Sequence, residues 1–351
     1  NYAFRVIGSL PVREKGTGNL IQDGLKTHRN WKGNIPDDAY PMIKNPARGF
    51  VATANNKNVD NYPYELNGTY APGYLYENIA RMLRGRKDID VEYMKKVQTD
   101  TNTVLAQKIR AVLKKHVKPD ALDEMAKKAY ELMLAWDGNS SKDSAGASIY
   151  NTFYVRFAYQ TFVDELGENL AAEYVGERYI SMERFLEMVA KGSVFFDDLR
   201  TPEKEDVGAI ATRSFVETCS LLKKYFGSSD PARWKWGRMH VIRFEHVLGK
   251  SALFRPLVNY GPFPFEGDGE TNNRARFAEM EPPFTANLAS APRIIVKFDP
   301  KPKAYMMLIT GDNEHFMSRH STDMVDAWLA HEYFCMEDEA VKYSMRMDPA
   351  R

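Results

Sequence analysis

Residues 30–63 run NWKGNIPDDAYPMIKNPARGFVATANNKNVDNYP, and the way this stretch folds sets the interpretation of the rest of the chain. It is dense in turn signals, with DDAYP at 37–41 and KNPARGF at 44–50. Gly reaches left-handed backbone freely, Pro presets φ, and Asn or Asp side chains bond their own backbone. Between the turns, Phe50-Val51-Ala52-Thr53 predicts a short strand, which places Asn55 just past a strand end. A carboxamide there can offer an N–H donor to a cleft without bringing a charge. The alternative is a turn asparagine, since Asn tolerates left-handed backbone.

Outward from this stretch, the first 70 residues carry further turns (GTGNL, NGTYAPG) and a strand-like run at 2–7. From about 74 to 227 the pattern becomes helical. Val104, Leu105, Ile109, Val112 and Leu113 share one helical face and predict a helix over 101–116. Pro119-Asp120 opens another over 120–135, and further helices are expected at 145–164, 181–190 and 204–226, the last stopped by Gly227. NYGPFPFEGDGETNN (259–273) is punctuated by Gly and Pro and predicts largely irregular chain. RIIVKF (293–298) and AYMMLIT (304–310) predict a hairpin across DPKP, and a last helix is expected at 322–334. The order predicts an α+β chain: strands in 1–73, a helical lobe over 74–230, and a return to the core over 231–351. The strands near 2–7, 49–54, 293–298 and 304–310 are expected to lie together in one core sheet.

Composition excludes several function classes. Lys and Arg number 48 against 47 Asp and Glu, a net charge of +1, so no surface is built to track nucleic acid or an anionic membrane. No apolar run reaches the roughly 18–20 residues of a membrane span. Two cysteines, Cys219 and Cys335, exclude a disulfide scaffold and a Cys-rich zinc module. His240 and His246, and His315 and His320, lack the spacing of a helical metal pair, and His331-Glu332 has no second His, so structural histidines are expected. Gly16-Thr17-Gly18 and Gly267-Asp268-Gly269 lack the third glycine of a dinucleotide fingerprint. GNSSKDSAG is not a nucleophile elbow. Asp268 and Glu270 are expected in a polar turn rather than on a cation. Trp234, Trp236 and Phe244 are expected in packing rather than base stacking.

Several motifs together carry a resemblance. They are Trp31-Lys32-Gly33, Ile35-Pro36, Pro41, Asn45-Pro46, Gly49, Ala54-Asn55-Asn56 and Tyr62-Pro63, in that order and spacing. Asp100 and Ala106 follow in VQTDTNTVLAQKI, then Leu134-Ala135-Trp136-Asp137-Gly138, Trp234-Lys235-Trp236-Gly237 with His240 and His246, and Gly267-Asp268-Gly269-Glu270-Thr271. Arg293 and Asp299 come next, and the tail adds Gly311, Ser318, His320, Asp323 and Trp328. In these features nearly the whole chain resembles the penicillin acylase family of N-terminal-nucleophile hydrolases, which includes penicillin, cephalosporin and acyl-homoserine-lactone acylases.

The resemblance implies part of a four-layer αββα sandwich with a large helical insert. It also implies the C-terminal part of an acylase β-chain, cleaving an acyl group from a small amine such as a β-lactam nucleus or a homoserine lactone. In that family an N-terminal Ser, Thr or Cys attacks an amide carbonyl, with its own α-amine as base. One backbone N–H and one Asn side chain hold the oxyanion, and the position matching that Asn is Asn55. Asn1 carries neither hydroxyl nor thiol. The implied partners are therefore an acylase α-chain and an N-terminal β-segment bearing the nucleophile and most of the acyl pocket, and this chain alone is expected to be inactive. The resemblance assigns no substrate-binding residue. Leu75-Tyr76 stand where many members have an Arg, with Arg81 nearby. Some members bind calcium near the site; the aligned position here is Leu66, with Asp60 and Glu65 as candidate carboxylates and solvated loop residues as the alternative. Asp312-Asn313-Glu314 replace a small pair. No cofactor is required, and calcium is the one candidate ion. The family resemblance implies a periplasmic or secreted location. The competing expectation is a non-catalytic scaffold that serves binding or assembly.

Overall fold

A computed structural model describes residues 1–14, 20–21, 23–25, 31–66, 69–336 and 346, with only the backbone of 178–181 described. The GTGNL turn lies almost wholly outside the described residues, as do the first two residues of NGTYAPG. The N-terminal part holds four short strands: β1 (Ala3–Arg5), β2 (Pro11–Arg13), β3 (Trp31–Asn34) and β4 (Met42–Lys44). β1 pairs antiparallel with β4, and β2 with β3.

The helical lobe follows as α1 (Tyr74–Leu83), α2 (Val91–Gln98), α3 (Val104–His116), α4 (Glu124–Ala135), α5 (Ala145–Gly176), α6 (Arg178–Lys191) and α7 (Val207–Phe226). Local chemistry sets many of the ends. Asp90, Thr103, Asp123, Ser144 and Asp206 each accept a hydrogen bond from an amide in the first turn of the helix they precede. α6 and α7 stop at Gly192 and Gly227, both left-handed at φ 63°. α5 continues past the predicted end at 164 and breaks at Gly167 (φ 71°, ψ 166°). The first half of α5 is buried nearly all round, as befits a helix through the middle of a lobe. Its Phe153 and Phe157 stack at 5.6 Å, and Phe157 meets Phe185 of α6 edge-on at 5.1 Å.

The remaining elements are α8 (Trp236–Met239), β5 (His240–Phe244), α9 (Arg255–Val258), β6 (Tyr260–Pro264), β7 (Ala275–Arg276), β8 (Phe284–Ala286), β9 (Leu288–Ala289), β10 (Arg293–Lys297), β11 (Lys303–Met307), α10 (Val325–Leu329) and β12 (Phe334–Cys335). β10 and β11 form the predicted hairpin, in register from Arg293 opposite Met307 to Lys297 opposite Lys303. A second, smaller apolar cluster gathers here around Ile242, Phe265, Met307 and Trp328.

Three expectations are corrected. Among the described residues the strands form five small sheets, and those from the two ends of the chain do not pair into one core sheet. Strands of two to five residues are satisfied by close neighbours, as when β1 takes β4. Residues 50–53 are not a strand, because no ladder partner lies beside them among the described residues; the nearest pairing is an isolated bridge from Asn56 to Ala71. The helix expected over 322–334 is only α10, because His331 turns left-handed (φ 62°) and the chain then joins β11 through β12.

Candidate functional site

Asn55 sits in a left-handed conformation (φ 59°) at the tip of the turn that follows the extended 50–53 segment. Asn is the side chain after Gly that adopts this backbone most readily. The turn is braced from within by Asn56, whose Oδ1 accepts the Ala54 N–H at 3.0 Å and whose Nδ2 donates to the Lys57 carbonyl at 2.9 Å. From outside, the buried Ala71 donates its N–H to the Asn55 carbonyl at 2.8 Å. The Asn55 side chain is exposed and makes no hydrogen bond among the described residues. Its backbone is fixed while its carboxamide N–H groups remain free to donate.

Arg48 adds a second brace that sequence reasoning missed. Its Nε donates to the Phe50 carbonyl and its NH1 to the Tyr76 hydroxyl, each at 2.9 Å, and its guanidinium lies over the Phe50 ring. The available signal was an arginine directly before Gly49-Phe50, close enough in sequence to reach the Phe50 carbonyl. Arg81 does not take this part: it faces Asp100 at 3.9 Å. Leu75 and Tyr76 both lie on α1, and Tyr76 contributes as the acceptor for Arg48.

Asp60 and Glu65 are both exposed, on the chain between the Asn55 turn and Ala71. Calcium takes six to eight oxygen ligands, several of them usually carboxylates. No group of three or more His, Cys, Asp or Glu residues placed to hold a metal occurs among the described residues. Two exposed loop carboxylates beside Leu66 do not fit such an ion.

The other singled-out residues are placed as follows. Trp234 and Trp236 are fully buried, and Trp236 stacks on the buried His240 ring at 4.4 Å. His240 Nδ1 donates to the Phe265 carbonyl at 2.8 Å. Asp268 is buried in a turn, accepting from the Ser140 hydroxyl and from the Glu270 N–H. Arg293, also buried, donates to the Trp328 carbonyl, to Asn273 Oδ1 and to His331 Nδ1. Since Arg only donates, His331 Nδ1 is an acceptor and its Nε2–H goes to Glu266. Burial pushes the Glu266 carboxyl up, but the His331 hydrogen bond and the neighbouring charges of Lys142 and Arg293 outweigh it and hold it below the usual carboxylate range. Ser318, His320 and Asp323 do not form a nucleophilic triad. His320 Nδ1 binds Asp323 at 2.7 Å, but Arg319 occupies its Nε2, and Ser318 Oγ accepts the His320 backbone N–H. An open cleft of about 680 Å³ lies between residues 244–247, 257–260 and 310–322, and Asn55 does not line it.

A family model described as penicillin amidase matches residues 1–341. The acyl-homoserine lactone acylase QuiP of Pseudomonas fluorescens is 29% identical over 350 residues, which cover 95% of this chain and 42% of that protein. QuiP of Pseudomonas aeruginosa is 27% identical over 360 residues, covering 94% and 42%. The penicillin acylase 2 proenzyme of a Pseudomonas species is 26% identical over 264 residues, covering 75% and 33%. The chain therefore spans about two fifths of the length of these acyl-homoserine lactone acylases, 42% in each case. Among solved structures, the thermostable penicillin G acylase from Alcaligenes faecalis matches with a TM-score of 0.59 at 16% identity, over 99% of this chain and 66% of that one. That likeness shows the fold, a mixed α+β architecture shared with this penicillin G acylase.

Proposed function

The chain belongs to the penicillin amidase family, and on that premise we propose that it forms the C-terminal part of the β-chain of an amide-hydrolysing acylase. The substrate is a small-molecule amide whose amine half is a homoserine lactone or a β-lactam nucleus. The two QuiP relatives, acyl-homoserine lactone acylases, support the first and the penicillin acylase 2 proenzyme the second. The nucleophile is placed on an N-terminal β-segment outside these 351 residues, which pairs with them and with an acylase α-chain. Its hydroxyl or thiol attacks the amide carbonyl while its α-amine takes the proton. The carbonyl oxygen becomes an oxyanion, held by one backbone N–H of that segment and by Asn55 Nδ2–H. The reaction needs no cofactor, and no step runs through calcium. The protein works in the periplasm or outside the cell; no described helix is long and apolar enough to cross a membrane.

The observation that carries this reading is the Asn55 carboxamide, without a hydrogen-bond partner among the described residues, on a turn whose backbone is tied down by Ala71. A donor prearranged in this way costs no reorganisation when charge develops. The test is Asn55→Ala in the chain joined with its complementary segment. We expect kcat to fall about 10²–10³-fold, the usual cost of one oxyanion donor. KM should change little, because the charge exists only in the transition state. An unchanged kcat would make Asn55 a turn residue only. The chain by itself should hydrolyse no amide.

Leu75 in place of an arginine, and Asp312-Asn313-Glu314 in place of a small pair, favour a second reading, a non-catalytic scaffold for binding or assembly. Absence of amide hydrolysis by the complete assembly would select it.

A further inference from the structure

We propose that Asn78 is the positioning residue for Asn55: a buried carboxamide that fixes α1, the helix to which the Asn55 turn is tied. This inference rests on the oxyanion reading of Asn55.

Two links join the Asn55 segment to α1. One is the Arg48 NH1 bond to the hydroxyl of Tyr76, a residue of α1. The other is the Ala71 N–H bond to the Asn55 carbonyl. Only Pro72 and Gly73 separate Ala71 from Tyr74, the first residue of α1, and Pro72 is buried with its φ held by its ring. A shift of α1 is therefore passed to the Asn55 turn rather than absorbed by a long linker.

What holds α1 in turn is Asn78. It is fully buried, the one polar side chain among the buried residues of that helix apart from the Tyr74 phenol. Its Nδ2 donates to the Glu270 carbonyl at 2.7 Å, and its Oδ1 accepts the Val104 N–H at 3.0 Å. Val104 opens α3, where the first amides have no partner inside the helix. Asn78 thus caps α3 from a neighbouring helix and docks α1 on the 267–271 turn with the same side chain. The remaining ties of α1 are of other kinds. Tyr93 donates to the Met82 carbonyl and Asn272 Nδ2 to the Met82 sulfur near the far end, Arg81 faces Asp100 at 3.9 Å, and the Glu77–Arg84 pair lies within and just beyond the helix on the exposed side. Of these polar ties, only that of Asn78 joins the middle of the helix to the 267–271 turn and to the start of α3.

A misplacement of about 1 Å far from the chemistry can cost 10²-fold in rate. In the assembly carrying the nucleophile, we expect Asn78→Ala to lower kcat about 10–10²-fold with KM held within about threefold. In an Asn55→Ala background the same substitution should cost nothing further, since Asn78 acts through Asn55. Thr103→Ala is the control. It removes the other cap of α3, the Thr103 hydroxyl that accepts from Leu105 N–H, without touching α1. It should lower stability and leave kcat unchanged. Amide hydrogen exchange in this chain gives a readout independent of activity: exchange at Ala71 should quicken at least about tenfold in Asn78→Ala and not in Thr103→Ala. Should Asn78→Ala fail to fold, Asn78→Ser leaves a neutral hydroxyl too short to bridge Val104 and Glu270 at once, and should show the same effects in weaker form. The proposal is overturned by unaltered Ala71 exchange in the Asn78 variant. It is equally overturned by an unaltered kcat where Asn55→Ala lowers it, or by a loss that multiplies with that of Asn55→Ala. If Asn55→Ala itself has no effect, the oxyanion reading falls and the catalytic part of this inference falls with it.

Discussion

The hydroxyl of Ser140 donates a 2.7 Å hydrogen bond to the buried carboxylate of Asp268, across 128 positions of sequence. Around it the Gly267 N–H reaches the Ser140 carbonyl at 2.8 Å, and the Trp236 indole N–H reaches the Gly267 carbonyl at 2.9 Å. The turn that contains Asp268 is therefore the joint between the helical lobe and the strands that follow it. Hydrogen bonds to a charged group contribute about 1.5–3 kcal/mol. Ser140→Ala should destabilise the chain by about that much, measured by urea unfolding, and a change below about 0.5 kcal/mol would mean that the bond contributes little.

Gly267 sits at φ +82°, and a Cβ there would lie 2.1 Å from the Asn273 carbonyl oxygen. The backbone strain of a side chain at such a φ costs about 1–3 kcal/mol, and overpacking costs a similar amount. Gly267→Ala should lower the thermal midpoint well beyond Gly269→Ala, whose added Cβ would meet nothing nearer than 4.0 Å. Equal midpoints for the two variants would contradict this.

Asp198 is buried and accepts from Arg200 and Arg213. The Arg200 hydrogen bonds hold its carboxyl well below the usual range, against the opposing effect of burial. A carboxylate whose folded pKa is depressed stabilises the fold above its unfolded pKa, and that stabilisation is lost as pH falls through the folded value. Asp198→Asn should cost about 2–3 kcal/mol at pH 7, in the range for charged hydrogen bonds. The gap to the parent should narrow below about pH 4, and a gap that stays constant through the acid range would refute the assignment.

Glu266 obeys the same sign, its pKa lying below the ordinary value in the folded chain. Its contribution is complete above about pH 4.5 and declines on acidification. Glu266→Gln should therefore flatten the acid limb of a stability profile and loosen the link between the 266–268 turn and the end of α10. Profiles that coincide for parent and variant from neutral to acid pH would show that the His331 contact carries no net stability.

Cys219 is buried on α7, and burial, with Asp123 adding to it, pushes its thiol up to about 12. Cys335 is half-buried at the sheet edge formed by β12. A thiol reagent should label Cys335 alone in the folded chain and both cysteines after unfolding. Rapid labelling of Cys219 in the native state would show that the lobe opens locally.

The helices were the most legible part of the structure. The helical face of 104–113 and the stop at Gly227 were read directly, whereas the start placed at Pro119-Asp120 is a separate 3-10 turn and α4 begins only at Glu124, capped by Asp123. The hairpin at 293–307 was legible for a related reason: five residues between two apolar runs leave little choice of partner. Position 50–53 was not, because an extended segment becomes a strand only if another lies beside it. The predicted helix at 322–334 failed at His331, where the left-handed turn is held by contacts to Arg293 and Glu266. In the candidate site, the residue type of Asn55 and its place after an extended segment could be read directly. Its support by Arg48, Ala71 and Asn78 could not.

The amino-acid sequence by itself determined the helical lobe, the hairpin and the family to which the chain belongs. Capping, periodicity and spacing act over a few residues, and motif order survives along the whole chain. The tertiary structure alone decided which polar groups meet: Asn78 with Glu270 across 192 positions, Ser140 with Asp268, and His331 with Glu266. A buried donor must find an acceptor wherever the fold brings one within about 3 Å, and no local pattern of residues specifies which distant carbonyl or carboxylate that will be.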